Sequence, residues 1–270
     1  MSEAGVPSRF RIETVAETGS TNADLVARAT AGEPDGLVLR TDHQTSGRGR
    51  LDRRWDAPPG TNLLFSTLLR PDWPAERVPL VTSCLAVALV DVLEPLLNEQ
   101  AAGVVARVKW PNDVLLHDRL TGDPIGGSTA KVAGILAELV GAPSDHGATV
   151  VVGMGVNVAW PGPGDDGPPG AVSLLGVRAA VEPTALLHVI LRAFGDRLDL
   201  LGDPDGPAAL REAHRERSAT IGRWVRAERA GGDLVGTAVD VGLDGALRVV
   251  TADGSSIAVR AGDVVHLRTD

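Results

Sequence analysis

The sequence predicts an α+β fold in which a mixed sheet with flanking helices is followed by a small β-barrel. Two observations predict it. In residues 1–217, short apolar runs typical of strands alternate with longer segments whose apolar residues recur at helical spacing. In residues 218–270, five short alternating segments are separated by glycine turns, which is typical of a small barrel. We therefore expect two domains with these boundaries.

The elements of the first half follow from their flanking residues. Ser20, Thr21 and Asn22 precede an apolar periodicity, and residues of these types cap helices. An edge strand, a capped helix and two strands are predicted at residues 9–16, 23–31, 36–42 and 62–69. A long apolar helix is predicted over residues 80–97, with Pro95 marking a kink or an end near its carboxyl side.

The second half continues this alternation before the barrel begins. Four strands are predicted at residues 104–110, 114–116, 132–140 and 149–158, and two helices at 183–201 and 207–217. Residues 117–130 are rich in glycine, aspartate and threonine and are predicted to be a mobile loop or a hairpin insertion. Residues 161–170 are almost wholly proline, glycine and aspartate and are predicted to be a loop. The barrel strands are predicted at residues 224–228, 234–241, 246–251, 256–260 and 264–267.

Composition excludes several classes of protein. The chain has 26 Lys and Arg against 35 Asp and Glu, so its net charge of −9 disfavours generic nucleic-acid binding. A single cysteine, Cys84, excludes an internal disulfide and a cysteine-cluster metal site. Neither a signal peptide nor the roughly 18 uninterrupted apolar residues of a membrane span is found. We expect a soluble cytoplasmic protein with no membrane partner.

The most informative segment is residues 47–55, which contain four arginines, two glycines and a tryptophan. Guanidinium groups match phosphate or carboxylate oxygens, and glycines let the backbone approach a ligand closely. This arginine loop therefore predicts an anion site. The alternative is a solvated basic turn, because charge runs usually face water.

Four further segments place polar residues at strand ends or glycine turns: Gly-Ser-Thr-Asn at 19–22, Lys-Trp-Pro-Asn-Asp at 109–113, Lys-Val-Ala-Gly-Ile-Leu at 131–136 and Gly-Met-Gly-Val-Asn at 153–157. Each alone is a weak signal. In this order, together with the arginine loop, they resemble the biotin protein ligases. The resemblance implies a sheet and helices of the class II synthetase-related biotin/lipoate ligase type, followed by an SH3-like barrel.

The reaction that the resemblance implies has two steps. Biotin and MgATP give biotinyl-5′-AMP and pyrophosphate, and a lysine of a biotin carboxyl carrier protein or domain then attacks the mixed anhydride. The carrier would belong to an acyl-CoA or pyruvate carboxylase. Substrates and cofactors are thus biotin, ATP and Mg²⁺, but no carboxylate cluster identifies the magnesium ligands.

The resemblance also implies the site residues. Biotin would be bound by Ser20, Thr21, Asn22, Gln44, Arg48, Gly49, Arg50, Lys131 and Gly134. ATP and the adenylate would be bound by Arg48, Arg50, Arg53, Trp55, Lys131 and Asn157, with Lys131, Arg48 and Arg50 as the catalytic residues. Cations at the junction of carboxylate and α-phosphate stabilise the charge of the transition state. Helix capping is the alternative role of Ser20 or Thr21, and for Trp110 a structural role is favoured over ligand contact.

Two features depart from the family pattern. Asp52 stands where the family has glycine between the second and third arginines, and its charge would partly oppose phosphate binding. Residues 117–130 replace a tight turn. We further expect the arginine loop to be disordered without ligands and to fold over them.

Three alternatives remain. Lipoate ligation uses the same fold, but the segment at 109–113 belongs to the biotin branch. Transcriptional repression needs a helix-turn-helix, for which the residues before the first motif leave no room, so neither DNA binding nor repressor activity is expected. A non-catalytic module would bind biotin without consuming ATP. We expect a monomer or weak dimer.

Overall fold

The computed structural model describes residues 7–51, 53–126, 129–141, 147–229 and 231–267. Its larger sheet contains seven strands: β1 (Arg11–Thr18), β2 (Leu37–Gln44), β3 (Leu63–Leu69), β4 (Val104–Lys109), β5 (Asp113–Asp118), β6 (Lys131–Leu139) and β7 (Val150–Val156). They lie in the order β1-β2-β3-β7-β6-β5-β4. The pair β1 and β2 is parallel and the other pairs are antiparallel, which confirms the predicted mixed sheet with an edge strand at its start.

Four helices flank this sheet: α1 (Thr21–Thr30), α2 (Leu80–Gln100), α3 (Pro183–Gly202) and α4 (Gly206–Glu216). On one face, α2 and α3 bury the main core against Phe65 and Met154. On the other face, α1 buries Leu25 against Leu68 and Val151. Because α1 has only ten residues, it covers part of its face and leaves the rest of that face open.

The helix α2 differs from its predicted end. It continues through Pro95 to Gln100, so a helix end at the proline is wrong. Leu93 and Leu97 on either side are fully buried, and we attribute the continuation to their packing outweighing the roughly 3 kcal/mol cost of an internal proline. α2 is also long and apolar enough to cross a membrane, but 61% of its most apolar window is buried in the fold, as in the core helix of a globular domain.

The segment at residues 117–130, predicted to be a mobile loop or a hairpin insertion, begins as a hairpin. β5 extends through His117 to Asp118, and a bridge between His117 and Pro124 closes a short hairpin. The segment therefore prolongs the sheet before it becomes irregular.

The second sheet is antiparallel and has five strands: β8 (Trp224–Glu228), β9 (Leu234–Val241), β10 (Leu247–Val250), β11 (Ser256–Val259) and β12 (Asp263–His266). Their order is β11-β10-β9-β8-β12. Gly245 and Gly254 take positive φ values of 77° and 85° at the predicted turns. The small core of this sheet includes Trp110, which the loop between β4 and β5 contributes.

Candidate active site

A cavity of about 120 Å³ lies on the open part of the α1 face. Ser66 and Gly153 share this face with Leu68 and Val151, because side chains two residues apart in a strand point the same way. Eleven of the predicted residues line the cavity: Ser20, Thr21, Asn22, Gln44, Arg48, Gly49, Arg50, Arg53, Trp55, Lys131 and Gly134. Asn157 is predicted but does not line it.

One end of the cavity, which we call the polar end, consists of Thr21, Asn22, Gln44 and Ser66. The Thr21 backbone N–H donates to Gln44 Oε1 at 2.9 Å, and the Thr21 and Ser66 hydroxyls are 2.7 Å apart. Ser66 Oγ donates to Asn22 Oδ1 at 2.6 Å. Thr21 is 3% exposed, Asn22 4% and Ser66 0%. These uncharged groups are therefore fixed in place before any ligand binds.

The start of α1 holds the polar end against the sheet. Ser20 is the N-cap, and its side chain accepts the N–H of Ala23 at 3.5 Å, so its capping role is observed. Asn22 Nδ2 donates to the backbone oxygen of Leu136 at 3.1 Å and to Glu138 Oε2 at 2.7 Å. A Cβ atom at Gly153 would overlap Asn22 Oδ1, so only glycine fits this position.

The opposite end, which we call the cationic end, consists of Arg48, Arg50, Arg53 and Lys131. Lys131 Nζ lies 2.6 Å from Asp113 Oδ1, Arg53 lies 2.6 Å from Asp263, and Arg48 Nη2 lies 3.2 Å from both oxygens of Glu138. Each of these cations thus has an acidic partner. A bound polyanion would meet cations that are already partly neutralised.

Arg50 is held differently from the other three cations. Its guanidinium donates to Asn112 Oδ1 at 3.2 Å and to the backbone oxygen of Gly262 at 2.8 Å. Burial lowers the pKa of Arg50 from its ordinary value. The hydrogen bond from Arg50 to Gly262 and the contact between Arg53 and Asp263 together tie the arginine loop to the second sheet.

The arginine loop folds back on itself and carries Trp55 into the cavity. The N–H of Trp55 donates to the oxygen of Gly47 at 3.0 Å, and Arg48 and Arg54 form a bridge. The indole lies against Gly155, where any Cβ would overlap the ring, and Lys131 Nζ is 5.4 Å from the ring centroid. Asp52 lies outside the described residues, and ordering of the loop by ligands stays a prediction.

Asn157 is placed beneath the site. It is 4% exposed, and its amide donates to the backbone oxygens of Lys131 at 3.2 Å and Val172 at 3.1 Å. Its Oδ1 accepts from Asn62 at 3.2 Å. In this arrangement Asn157 fixes the backbone of Lys131, and its predicted hydrogen bond to adenine stays a prediction.

Sequence reasoning missed Ser66 and Asp263, which line the cavity, and Glu138, which does not line it but pairs with Arg48. Ser66 carries a signal, since it is a hydroxyl residue within the apolar strand β3. Glu138 is likewise a charged residue in an apolar strand. Asp263 carries none, because it reaches the cavity only through the docking of the second sheet. Among the residues that the structure describes, no group of three or more His, Cys, Asp or Glu suits a metal ion.

Residues 16–157 match the Biotin/lipoate A/B protein ligase family, and residues 220–267 match the Biotin protein ligase C terminal domain. The chain is 39% identical to the biotin–[acetyl-CoA-carboxylase] ligase of Mycobacterium tuberculosis over 98% of this chain and 92% of that protein. A ligase of the same name from Paracoccus denitrificans is 34% identical over 86% of this chain and 91% of its own length. The fold is similar to the biotin protein ligase from Aquifex aeolicus in complex with biotin and ATP, with a TM-score of 0.75, 22% identity and coverage of 96% and 99%.

Proposed function

The chain belongs to the Biotin/lipoate A/B protein ligase family and is a biotin protein ligase, and from this premise we propose that it forms biotinyl-5′-AMP and transfers biotin to a specific lysine of a biotin carboxyl carrier protein. One observation carries the proposal. A single cavity joins an uncharged hydrogen-bonding end to an end with four cations. A ureido ring with a carboxylate tail, bound next to a triphosphate, requires these two environments side by side.

In the first step, a carboxylate oxygen of biotin attacks the α-phosphorus of ATP. The bond from this phosphorus to the oxygen that bridges to the β-phosphate breaks, and pyrophosphate leaves with the electron pair. Lys131, Arg48 and Arg50 offset the repulsion between carboxylate and triphosphate and the charge that develops on phosphorus. Thr21, Asn22 and Gln44 orient the ureido group, and Trp55 contributes an aromatic face to the adenylate.

In the second step, the neutral ε-amine of the carrier lysine attacks the acyl carbon of the mixed anhydride. The bond between this carbon and the phosphate oxygen breaks, AMP leaves, and the amine loses a proton as the amide forms. Positive charge around the phosphate stabilises AMP as a leaving group. Neither step uses a covalent bond to the protein.

We propose that magnesium enters with the nucleotide. Mg²⁺ in nucleotide sites is commonly held by phosphate oxygens with one or two carboxylates. Asp113, which lines the cavity, is paired with Lys131, so a phosphate-held ion suits the described carboxylates better than a site built by the protein alone.

The further proposals concern partners and location. The carrier is a domain of an acyl-CoA or pyruvate carboxylase. We propose that the protein has no repressor activity, which agrees with matches to ligases over more than nine-tenths of their lengths. We place the protein in the cytoplasm, as a monomer or weak dimer.

Mass spectrometry of the carrier tests the proposal. The protein is incubated with biotin, MgATP and an unmodified carrier domain, and a carrier whose acceptor lysine is replaced by arginine is the control. We expect one biotin on the normal carrier and none on the control. A parallel reaction with lipoate distinguishes the other branch of the family. Biotin binding with no ATP consumption and no mass gain would contradict the proposal.

A further inference from the structure

Glu138 does not line the cavity, but it contacts a residue from each of the cavity's two ends. It belongs to β6, and its side chain is 28% exposed. One carboxylate oxygen accepts from Asn22 Nδ2 at 2.7 Å, and both oxygens lie 3.2 Å from Arg48 Nη2. A single carboxylate therefore contacts a residue of the polar end and a residue of the cationic end.

The contact with Asn22 fixes the direction of an amide. Asn22 Oδ1 accepts from Ser66 and its Nδ2 donates to Leu136 O and Glu138, so both halves of the amide have partners. A charged acceptor makes a stronger hydrogen bond than a neutral one. Glu138 thereby stabilises one orientation of Asn22 over the flipped one.

The contact with Arg48 engages only one of three guanidinium nitrogens. Within the described residues, neither Nε nor Nη1 of Arg48 donates a hydrogen bond. Because the guanidinium is planar and rigid, fixing Nη2 restricts where the other two nitrogens can point. They remain available to an anion.

The surroundings explain why this arginine needs support. Glu138 lines an open groove of about 700 Å³ on the outer side of the arginine loop, together with Arg48, Arg50, Arg53 and Arg54. The Arg48 side chain is 47% exposed, and an exposed arginine samples many rotamers. A fixed carboxylate reduces this freedom.

We propose that Glu138 is a positioning residue for adenylate formation: it orients Arg48 toward the polyphosphate and the Asn22 amide toward the uncharged ring of the acid substrate. This inference rests on the proposed function and concerns the same cavity. Through one side chain, the protein sets the relative placement of the two substrates.

Two substitutions separate the two contacts. Glu138→Gln keeps an acceptor for Asn22 and removes the charge that holds Arg48. We expect kcat for biotin-dependent pyrophosphate release to fall about tenfold, with less than about twofold change in the Kd for biotin by calorimetry. Glu138→Ala also removes the acceptor, so the Kd for biotin should rise about fivefold. Unchanged biotin binding by Glu138→Gln shows in the same experiment that the variant is folded.

A double-mutant cycle tests whether Glu138 acts through Arg48. In an Arg48→Gln background, Glu138→Gln should lower kcat no further, because the oriented group is gone. The charge control is Glu99→Gln, an exposed carboxylate on α2, which should leave kcat unchanged.

The outcomes are distinguishable. A normal kcat for Glu138→Gln, or an equal loss in the Arg48→Gln background, would overturn the positioning role. A wild-type protein that releases no pyrophosphate with biotin would instead contradict the proposed function itself.

Discussion

At the polar end of the cavity, neutral groups with almost no exposure are hydrogen-bonded to one another, whereas at the cationic end arginines that are about half exposed are paired with carboxylates. Thr21, Asn22 and Ser66 lie on secondary structure, while Arg48 and Arg53 lie on a loop. A group fixed on a helix or strand has lost its freedom before binding, and an ion pair on a loop can exchange partners at low cost. The structure thus suits rigid recognition of an uncharged ring and adaptable recognition of a polyanion.

Among the tests of this difference between the two ends, loss of Lys131 from the cationic end should have the largest effect on activity. Lys131→Met should lower kcat/KM for biotin-dependent pyrophosphate release about 10²- to 10³-fold, because it removes a charge at the reacting atoms. The comparator is Arg54→Gln in the same loop, whose side chain is 68% exposed and should matter less than about fivefold. Equal losses would mean that the loop acts through net charge alone.

Acid should lower the stability of the fold through a buried histidine. Burial lowers the pKa of His214 to about 4, below the roughly 6.5 of an unfolded histidine, so the unfolded chain takes up its proton first as pH falls. The contribution of neutral His214 to the free energy of unfolding is complete above about pH 6.5 and is lost as the pH falls toward 4. At pH 4.5 the loss amounts to about 2–3 kcal/mol. Urea unfolding of the protein and of His214→Gln above pH 6.5 and at pH 4.5 measures this loss. The free energy of unfolding should decrease less for the variant. This effect arises outside the cavity, because His214 is not among the residues that line it.

Substitution of two glycines by alanine should affect the two ends of the cavity separately. Gly153→Ala places a methyl group on Asn22 Oδ1, and Gly155→Ala places one on the Trp55 ring. We expect the first to raise the Kd for biotin about tenfold with little effect on the Kd for ATP, and the second to act mainly on ATP. Calorimetric titration with each ligand measures both constants. Identical profiles for the two variants would show that the ends are not independent.

A change in salt concentration should produce the smallest difference between the two ends of the cavity. Screening weakens interactions of exposed charges far more than buried neutral hydrogen bonds. Between about 0.05 and 0.5 M KCl the KM for ATP should rise about threefold while the Kd for biotin changes less than twofold. A parallel rise of both constants would contradict the assignment of charge to one end only.

Much of the fold could be predicted because its signals are local. Strands such as β3 and β7 consist mostly of apolar residues, and Ser20 caps α1 as its residue type suggested. Glycine turns likewise located the strands of the second sheet. Pro95 suggested a kink or a helix end, and the end does not occur because the packing of Leu93 and Leu97, which the sequence does not show, outweighs the local penalty of the proline.

The candidate site was predictable where its residues occur in recognisable segments. Two of its acidic partners were not, because Glu138 is ninety residues from Arg48 and Asp263 joins the arginine loop from another sheet. Asn157 shows a second limit. Its segment was recognised, but spacing along a strand could not tell that its amide is bonded beneath Lys131.

The position of the Trp110 indole couples the unfolding of the two sheets. It is 4% exposed, packs in the core of the second sheet and donates from Nε1 to the oxygen of Gly245 at 2.9 Å. Two residues later, Asn112 accepts from Arg50. Removing the terminal sheet would leave a large aromatic group in water and withdraw the support of Arg50. Heat should therefore melt both sheets in one cooperative transition, and neither should survive as a separable module.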